Sequence, residues 1–281
     1  MAIESVKNLL CEAQKANTSI IAFDALDYET IYACIRGAEA SRRPVILMLY
    51  PDMKSIISFS AFVDLVKALA KDASVPVAMH LDHCSSFETI LSAIHAGFTS
   101  VMADGSALPF DENVAFTKSV VDVAKVFGVD VEGELGHVGQ VAAGFAYHDK
   151  NTFTRPEDAA LFAEKTGVTS LAVAFGSCHG MYKDPPNLDL ERLQEIDKAT
   201  DTPLVLHGGS GIPAQQLEQA FALGINKFNV ATEYIMLYEK LLHQYYTEKF
   251  GKCSPFEKFP FVRKQLTEYV AEKLTLCKLT V

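Results

Sequence analysis

Residues 75–97 read VPVAMHLDHCSSFETILSAIHAG, and the order of signals in that stretch decides the fold. Residues 75–83 are short and mostly apolar, as expected of a strand covered on both faces. Ser85 and Ser86 are capping residues whose hydroxyls can accept the free amides of a first helical turn. From 85 to 96 the apolar residues recur at helical spacing, and Gly97 supplies a stop. A buried strand followed at once by an amphipathic helix is one βα unit of a parallel sheet.

The unit repeats in both directions. Further strand-type runs lie at 19–24, 44–50, 100–105, 130–136, 170–176, 203–209 and 227–232, giving eight with 75–83. Helical patterns at 113–127, 156–166, 188–196 and 213–223 separate them, and Gly128, Gly167 and Gly224 follow three of these. Eight βα units without a linker or a break in composition predict an α/β fold, a closed (β/α)8 TIM barrel filling residues 1–281 as a single domain. An open doubly wound sheet would be expected to carry GxGxxG at its first βα turn, and this turn does not. An N-terminal helix at 5–15 is expected to plug the bottom of the barrel. A C-terminal helical tail, about 253–281, contains FVRKQLTEYVAEKL and is expected to pack on the barrel or on a partner subunit.

Composition narrows the function. Half the residues are apolar, ample for a large core, and the formal net charge is −10. An acidic chain without clustered Lys and Arg argues against nucleic acid or an anionic membrane as partner. Its longest apolar stretches fall short of the ~18–20 residues that span a bilayer. Cys11, Cys34, Cys84, Cys178, Cys253 and Cys277 are scattered without a CxxC pair, and no secretory leader is evident. The expectation is a soluble cytoplasmic protein with reduced thiols.

One connection breaks the rhythm: GHVGQVAAGFAYHDKNTFT, residues 136–154, is too long for an ordinary βα loop. At the face where barrels build active sites it reads as a lid, or else as a surface insertion.

The unusual polar residues sit at the C-terminal ends of the runs. They are Asp82 and His83; Asp104; Glu132 and Glu134; His179 after Ser177-Cys178; His207 before Gly208-Gly209-Ser210-Gly211; and the stretch Asn229, Val230, Ala231, Thr232. In a closed barrel these converge on one mouth. His83, His179 and His207 make an open zinc site, because three imidazoles leave a fourth position for a substrate oxygen. His80, His95, His137, His148 and His243 read as packed or surface histidines, with His80 facing away from the site. Asp82 has two readings: an acceptor that orients an imidazole, or a general base beside metal-bound substrate. The glycines after His207 open a helix marked by Pro213, whose free amides can receive a phosphate.

HLDH, D-G-S-x-L-P-F-D-E-N, E-x-E-L-G, G-S-x-H-G-x-Y-K, L-V-L-H-G-G-S-G-I-P and K-x-N-V-A-T-E run in this order from about residue 5 to 234. Together they resemble the class II ketose-bisphosphate aldolases of the fructose-/tagatose-bisphosphate type. The resemblance implies a zinc-dependent barrel, a homodimer or homotetramer, that cleaves a phosphorylated ketose to dihydroxyacetone phosphate and an aldehyde. It implies one catalytic Zn2+ per chain on His83, His179 and His207, with Asp82 as the base. Glu134 and Asp104 would be alternative metal ligands or carboxylates that hold a ligand in place. Gly180, Gly208, Gly209, Ser210, Asn229, Val230, Ala231 and Thr232 would hold the phosphate, with a monovalent cation (Na+ or K+) beside Gly180. Lys183 lies beyond strand six, which argues against an imine mechanism.

The chain also departs from that pattern. Asp24 stands where the family has Asn, Met48-Leu49-Tyr50 where it has Gln-x-Ser, and Ala107 where it has His. The lid reads Gly139-Gln140-Val141-Ala142 in place of an acidic pair after Gly-Gly, and no carboxylate occurs between Glu134 and Asp149. Three readings follow: an aldolase with an altered substrate pocket, using Tyr147, His148 or water as proton donor; a metal-retaining sugar-phosphate-binding relative without turnover; or a zinc hydrolase.

Overall fold

The apolar runs pair as parallel strands in chain order, and the first closes on the last to form a barrel. A computed structural model of the chain describes residues 3–136, 138, 149–180, 182 and 186–281. Among them the strands are β1 (Ile20–Asp24), β2 (Val45–Leu49), β3 (Val77–Cys84), β4 (Ser100–Ala103), β5 (Asp130–Leu135), β6 (Ser170–Val173), β7 (Leu204–Leu206) and β8 (Ile225–Val230). Helix α1 (Val6–Lys15) precedes β1. Then α2 (Tyr28–Ser41), α3 (Phe59–Ala70), α4 (Phe87–Ala96), α5 (Phe110–Phe127), α6 (Pro156–Thr166), α7 (Leu190–Ala199), α8 (Ala214–Ala222) and α9 (Thr232–Glu248) each follow a strand. Helix α10 (Pro255–Leu274) comes last. None of these helices is long and apolar enough to cross a membrane.

Several expected strands overrun the observed ones at their C-terminal ends. The runs 100–105, 170–176 and 203–209 contain ladders ending at Ala103, Val173 and Leu206. The residues beyond them, such as Phe175, stay buried but leave the hydrogen-bonded sheet to build the mouth. Burial, which the apolar pattern reports, therefore extends further than pairing. Strand β8 starts two residues earlier than expected because buried Asn226, which donates to the Thr18 carbonyl at 3.4 Å, is polar and interrupts the apolar run.

Alternation along the strands sorts side chains onto two faces. Ile21, Phe23, Leu47, Met79 and Leu81 face outward into the helix layer. Ile20, Ala22, Ile46, Met48 and Ala78 face inward and pack against Val6, Leu9, Leu10 and Ala13 of α1. The N-terminal helix thus plugs the bottom with apolar side chains, as expected. The same two-residue period corrects the reading of His80. It lies on the Asp82 side of β3, fully buried inside the barrel, with Nδ1 2.8 Å from Ser100 Oγ.

The tail packs on the barrel. Val262, Leu266, Val270 and Leu274 repeat every four residues and are fully buried. Gly37 of α2 lets α10 approach closely: a Cβ there would lie 2.6 Å from Val270 Cγ1. Arg263 pairs with Glu29 of α2, and the Tyr269 ring stacks on Tyr234 at 6.0 Å. At ~1.5–3 kcal/mol per buried aliphatic side chain, this seam is a substantial part of the fold rather than an appendage. The expected lid lies mostly outside the described residues, as do His137, Tyr147, His148 and Lys183.

Candidate active site and metal centre

Adjacent residues of a regular strand point to opposite faces, so Asp82 and His83 could not both reach the mouth. The register between β3 and β4 shifts between Leu81 and Cys84, and His83 adopts φ 40°. This bulge turns His83 inward beside Asp82. A left-handed non-glycine residue costs about 1–3 kcal/mol, the kind of strain that persists where the surrounding structure over-determines it. The His83 amide, displaced from the ladder, donates to Met102 Sδ at 3.3 Å.

Three imidazoles then meet. His83 Nε2 is 3.0 Å from His179 Nε2 and 2.7 Å from His207 Nδ1. The other nitrogen of each ring is already engaged. His83 Nδ1 bonds Asp104 Oδ2 at 2.9 Å, His179 Nδ1 bonds the Val138 carbonyl at 2.9 Å, and His207 Nε2 bonds Glu132 Oε1 at 2.8 Å. Those outer partners are all acceptors, so each ring donates outward and presents its lone pair inward. Three lone pairs at such separations repel unless a cation lies between them. The donor set therefore fits a divalent metal of the zinc type with an open position.

The charges agree. Burial opposes protonation of His83, but the charge of Asp82, then Asp104 and Glu134, raise it to about 10. Burial, and then the positive His83, push His179 down to about 3 and lower His207. The cluster thus favours one positive charge at its centre, which either a proton on His83 or a metal ion on the three lone pairs can supply.

Asp104 and Glu134 lie on the far side of the His83 ring from the other two histidines. Glu134 Oε2 is 3.7 Å from His83 Nδ1, and these three residues form a second group that could hold an ion. Burial, with the nearby Asp104 charge, lifts Glu134 to about 8 against the pull of His83. Buried Asn113 fixes this corner, donating to the Glu134 carbonyl at 2.8 Å.

Beneath the histidines lies a polar cluster with no solvent exposure. Glu132 Oε2 accepts Lys227 Nζ at 2.9 Å and Ser170 Oγ at 3.2 Å, while its other oxygen holds His207. Burial works against ionising Glu132, but the Lys227 ammonium, helped by the hydrogen bond from His207, holds it well below the usual carboxylate range. Burial and the neighbouring Lys227 drive His80 down to about 3, so this ring is neutral. Sequence reading noted Glu132 without giving it a role and missed Lys227. Both stand two residues before a recognised site residue, Glu134 and Asn229, and so share its inward face.

Asp82 is buried, and its Oδ1 accepts Asn229 Nδ2 at 3.0 Å. Burial would raise its pKa, but the positive His83, with the Lys227 ammonium beyond it, outweighs that and lowers it. Asp24 lines the same cavity, and burial plus the Asp82 charge raise its pKa well above the usual range. Asp24 Oδ1 and Asn229 Oδ1 are buried acceptors without a partner.

Gly208 adopts φ +66°, and a Cβ there would lie 2.4 Å from the Cys178 carbonyl group; one on Gly209 would lie 1.8 Å from the Phe228 ring. The backbones after β6 and β7 therefore press together, and Tyr182, a motif position given no role in the sequence, clamps them. Its hydroxyl accepts the Cys178 amide at 2.6 Å and donates to the Gly208 carbonyl at 2.7 Å. Gly180, Gly208, Gly209, Ser210, Asn229, Ala231 and Thr232 line a recess beside Asp82, His83 and His179. Helix α9 opens on it without a side-chain cap at Ala231. Val230, by contrast, is fully buried and faces the helix layer, so only its backbone can serve this recess. Gly208→Ala is expected to cost about 1–3 kcal/mol through the left-handed backbone alone. Thermal melting checks this, and an unchanged midpoint would contradict the tight packing.

A closed parallel barrel whose C-terminal mouth gathers three histidines that could hold a metal has the architecture of a barrel enzyme. The chain matches the family model for class-II fructose-bisphosphate aldolase over residues 4–280. Among solved structures it is similar to the YdjI aldolase from Escherichia coli K12, with 32% identity, 98% of this chain and 97% of that chain covered, and a TM-score of 0.88. It is also similar to a candidate fructose-1,6-biphosphate aldolase from Coccidioides immitis, with 29% identity, 96% and 95% coverage and a TM-score of 0.86. The fold alone is shared with a fructose-bisphosphate aldolase from Campylobacter jejuni, at 21% identity, 99% and 96% coverage and a TM-score of 0.86. The chain belongs to the class-II fructose-bisphosphate aldolase family.

Proposed function

We propose that this chain is a zinc-dependent aldolase that cleaves, or in reverse forms, a carbon–carbon bond of a phosphorylated ketose, giving dihydroxyacetone phosphate and an aldehyde. The observation that carries the reading is the convergence of three imidazole lone pairs beside buried Asp82. His83, His179 and His207 would hold the metal, oriented by Asp104, the Val138 carbonyl and Glu132. Zinc bound there would supply a Lewis acid that stabilises negative charge on the ketose oxygens. Asp82 takes the proton from the hydroxyl of the carbon that becomes the aldehyde, and the adjacent carbon–carbon bond breaks. The electron pair stays with the dihydroxyacetone phosphate half until water, Tyr147 or His148 protonates that carbon, and Asp82 returns its proton to solvent. Asn229 holds Asp82 in place through its amide. The first turn of α9, whose Glu233 amide already donates to Ser210 Oγ, and the Gly208-Gly209-Ser210 turn would supply backbone amides for the phosphate. Asp104 and Glu134, on the outer side of His83, act by holding that ring rather than by joining the triad's ion.

The lack of a carboxylate between Glu134 and Asp149 favours a second reading, a sugar-phosphate-binding protein without turnover. Metal analysis with a retro-aldol assay on phosphorylated ketoses separates the two. The expected result is about one zinc per chain and turnover that a chelator abolishes. Zinc without any carbonyl product would favour the binding protein. Release of an acid or alcohol instead would indicate a hydrolase.

A further inference from the structure

The recess of glycines is continuous with a larger cavity of about 540 Å3, and the two share Asp82, His83, His179, Gly180, Ala231 and Thr232. If the phosphate of the dihydroxyacetone half occupies the recess, the scissile bond falls beside Asp82, and the aldehyde half extends into the larger cavity. This step rests on the aldolase reading above. The far walls have two characters. Tyr50, Met53, Ile235 and Met236 make an apolar rim, whereas Asp24, Asp104 and Glu134 bring carboxyl groups. Among the described residues lining either space there is no lysine or arginine.

Such a wall discriminates by charge and by hydrogen bonding. A second phosphate would face the ionised Asp82 and Asp104, with no lysine or arginine among the described lining residues to pair with, and like-charge contact at a desolvated site costs several kcal/mol. A hydroxyl is suited to the same wall. Asp24 is 3% exposed and its Oδ1 has no partner, so it lacks a donor, which an alcohol provides and a phosphate dianion does not. Tyr50 stands at the opening of the cavity that Asp82, Asp104 and Asp24 line and narrows the approach.

We infer that the substrate is a ketose 1-phosphate whose aldehyde half is hydroxylated and uncharged, and that Asp24 is the residue that selects it. Asp24 accepts a hydroxyl of the aldehyde half, and the surrounding carboxyl groups exclude a second phosphate.

The test uses the zinc-loaded Asp82→Asn variant, which binds without cleaving, and matched pairs of the 1-phosphate and 1,6-bisphosphate of fructose and of tagatose. Calorimetry is expected to show the monophosphate of at least one sugar binding about tenfold or more tighter than its bisphosphate. Adding Asp24→Asn, which removes the carboxylate and supplies an N–H donor, is expected to narrow that ratio severalfold. Tyr50→Ser, which opens the rim without touching the acids, should leave the monophosphate preferred. Equal or tighter binding of both bisphosphates overturns the inference while leaving the aldolase reading intact, and so does a ratio unmoved by Asp24→Asn. Failure of all four ligands to bind overturns the sugar-phosphate reading and this inference with it. Wild-type kcat/KM values for the same pairs should rank as the affinities do, and the opposite ranking would also overturn it.

Discussion

Asp82→Ala is expected to lower retro-aldol turnover by about 10³-fold, within the usual range for loss of a positioned acid–base group, while zinc content stays near wild type. The geometry separates the two readouts. Each imidazole is oriented by a partner other than Asp82: Asp104 for His83, the Val138 carbonyl for His179 and Glu132 for His207. Removing Asp82 frees the Asn229 amide but disturbs none of these bonds. If Asp82 only oriented a ligand, its loss should weaken metal binding in the way expected of Asp104→Asn, about 10–100-fold. Metal affinity by competition with a chelator, measured beside kcat, decides the matter. Near-normal turnover in Asp82→Ala would remove the base from the mechanism, and loss of zinc would make Asp82 a positioning residue.

The barrel was legible because its signal is repetitive. Eight buried runs, each leading into a helix, leave few other ways to cover both faces of a parallel sheet. The histidines were legible for a related reason: polar residues at the ends of apolar strands need an explanation, and three imidazoles share one. Less legible was the layer underneath. Lys227 looked like the hydrophilic start of a strand and His80 like a residue turned away, yet both are buried inside the barrel. Counting in twos from Asp82 and Asn229 would have placed them. The bulge at His83 hid this, because side-by-side Asp82 and His83 break the alternation that such counting depends on. Tyr182 stood in the G-S-x-H-G-x-Y-K motif without a role, since its clamp on Cys178 and Gly208 joins two loops that meet only in the folded chain.

That hidden layer carries the second large effect. Glu132→Gln is expected to destabilise the fold by about 3–5 kcal/mol, because it leaves the Lys227 ammonium buried and without its counter-charge. In a chain of this size that corresponds to a fall of roughly 10 °C in Tm. Lys227→Met should be destabilising too, since it strands the carboxylate instead. The two changes act on one ion pair, so the double variant should lose clearly less than the sum of the single losses. Metal affinity separates the pair from its neighbour. The amide that replaces the Glu132 carboxylate can offer His207 an N–H as readily as a carbonyl, which weakens control of the tautomer that aims Nδ1 at His83. Glu132→Gln is therefore expected to lower zinc affinity about 10–100-fold. Lys227→Met, which leaves the Glu132–His207 bond in place, should lower it far less. Denaturant melts of the four proteins, with and without metal, measure both effects. Strictly additive losses would mean that Glu132 and Lys227 act independently, and equal zinc affinity in all four would detach the buried layer from the metal centre.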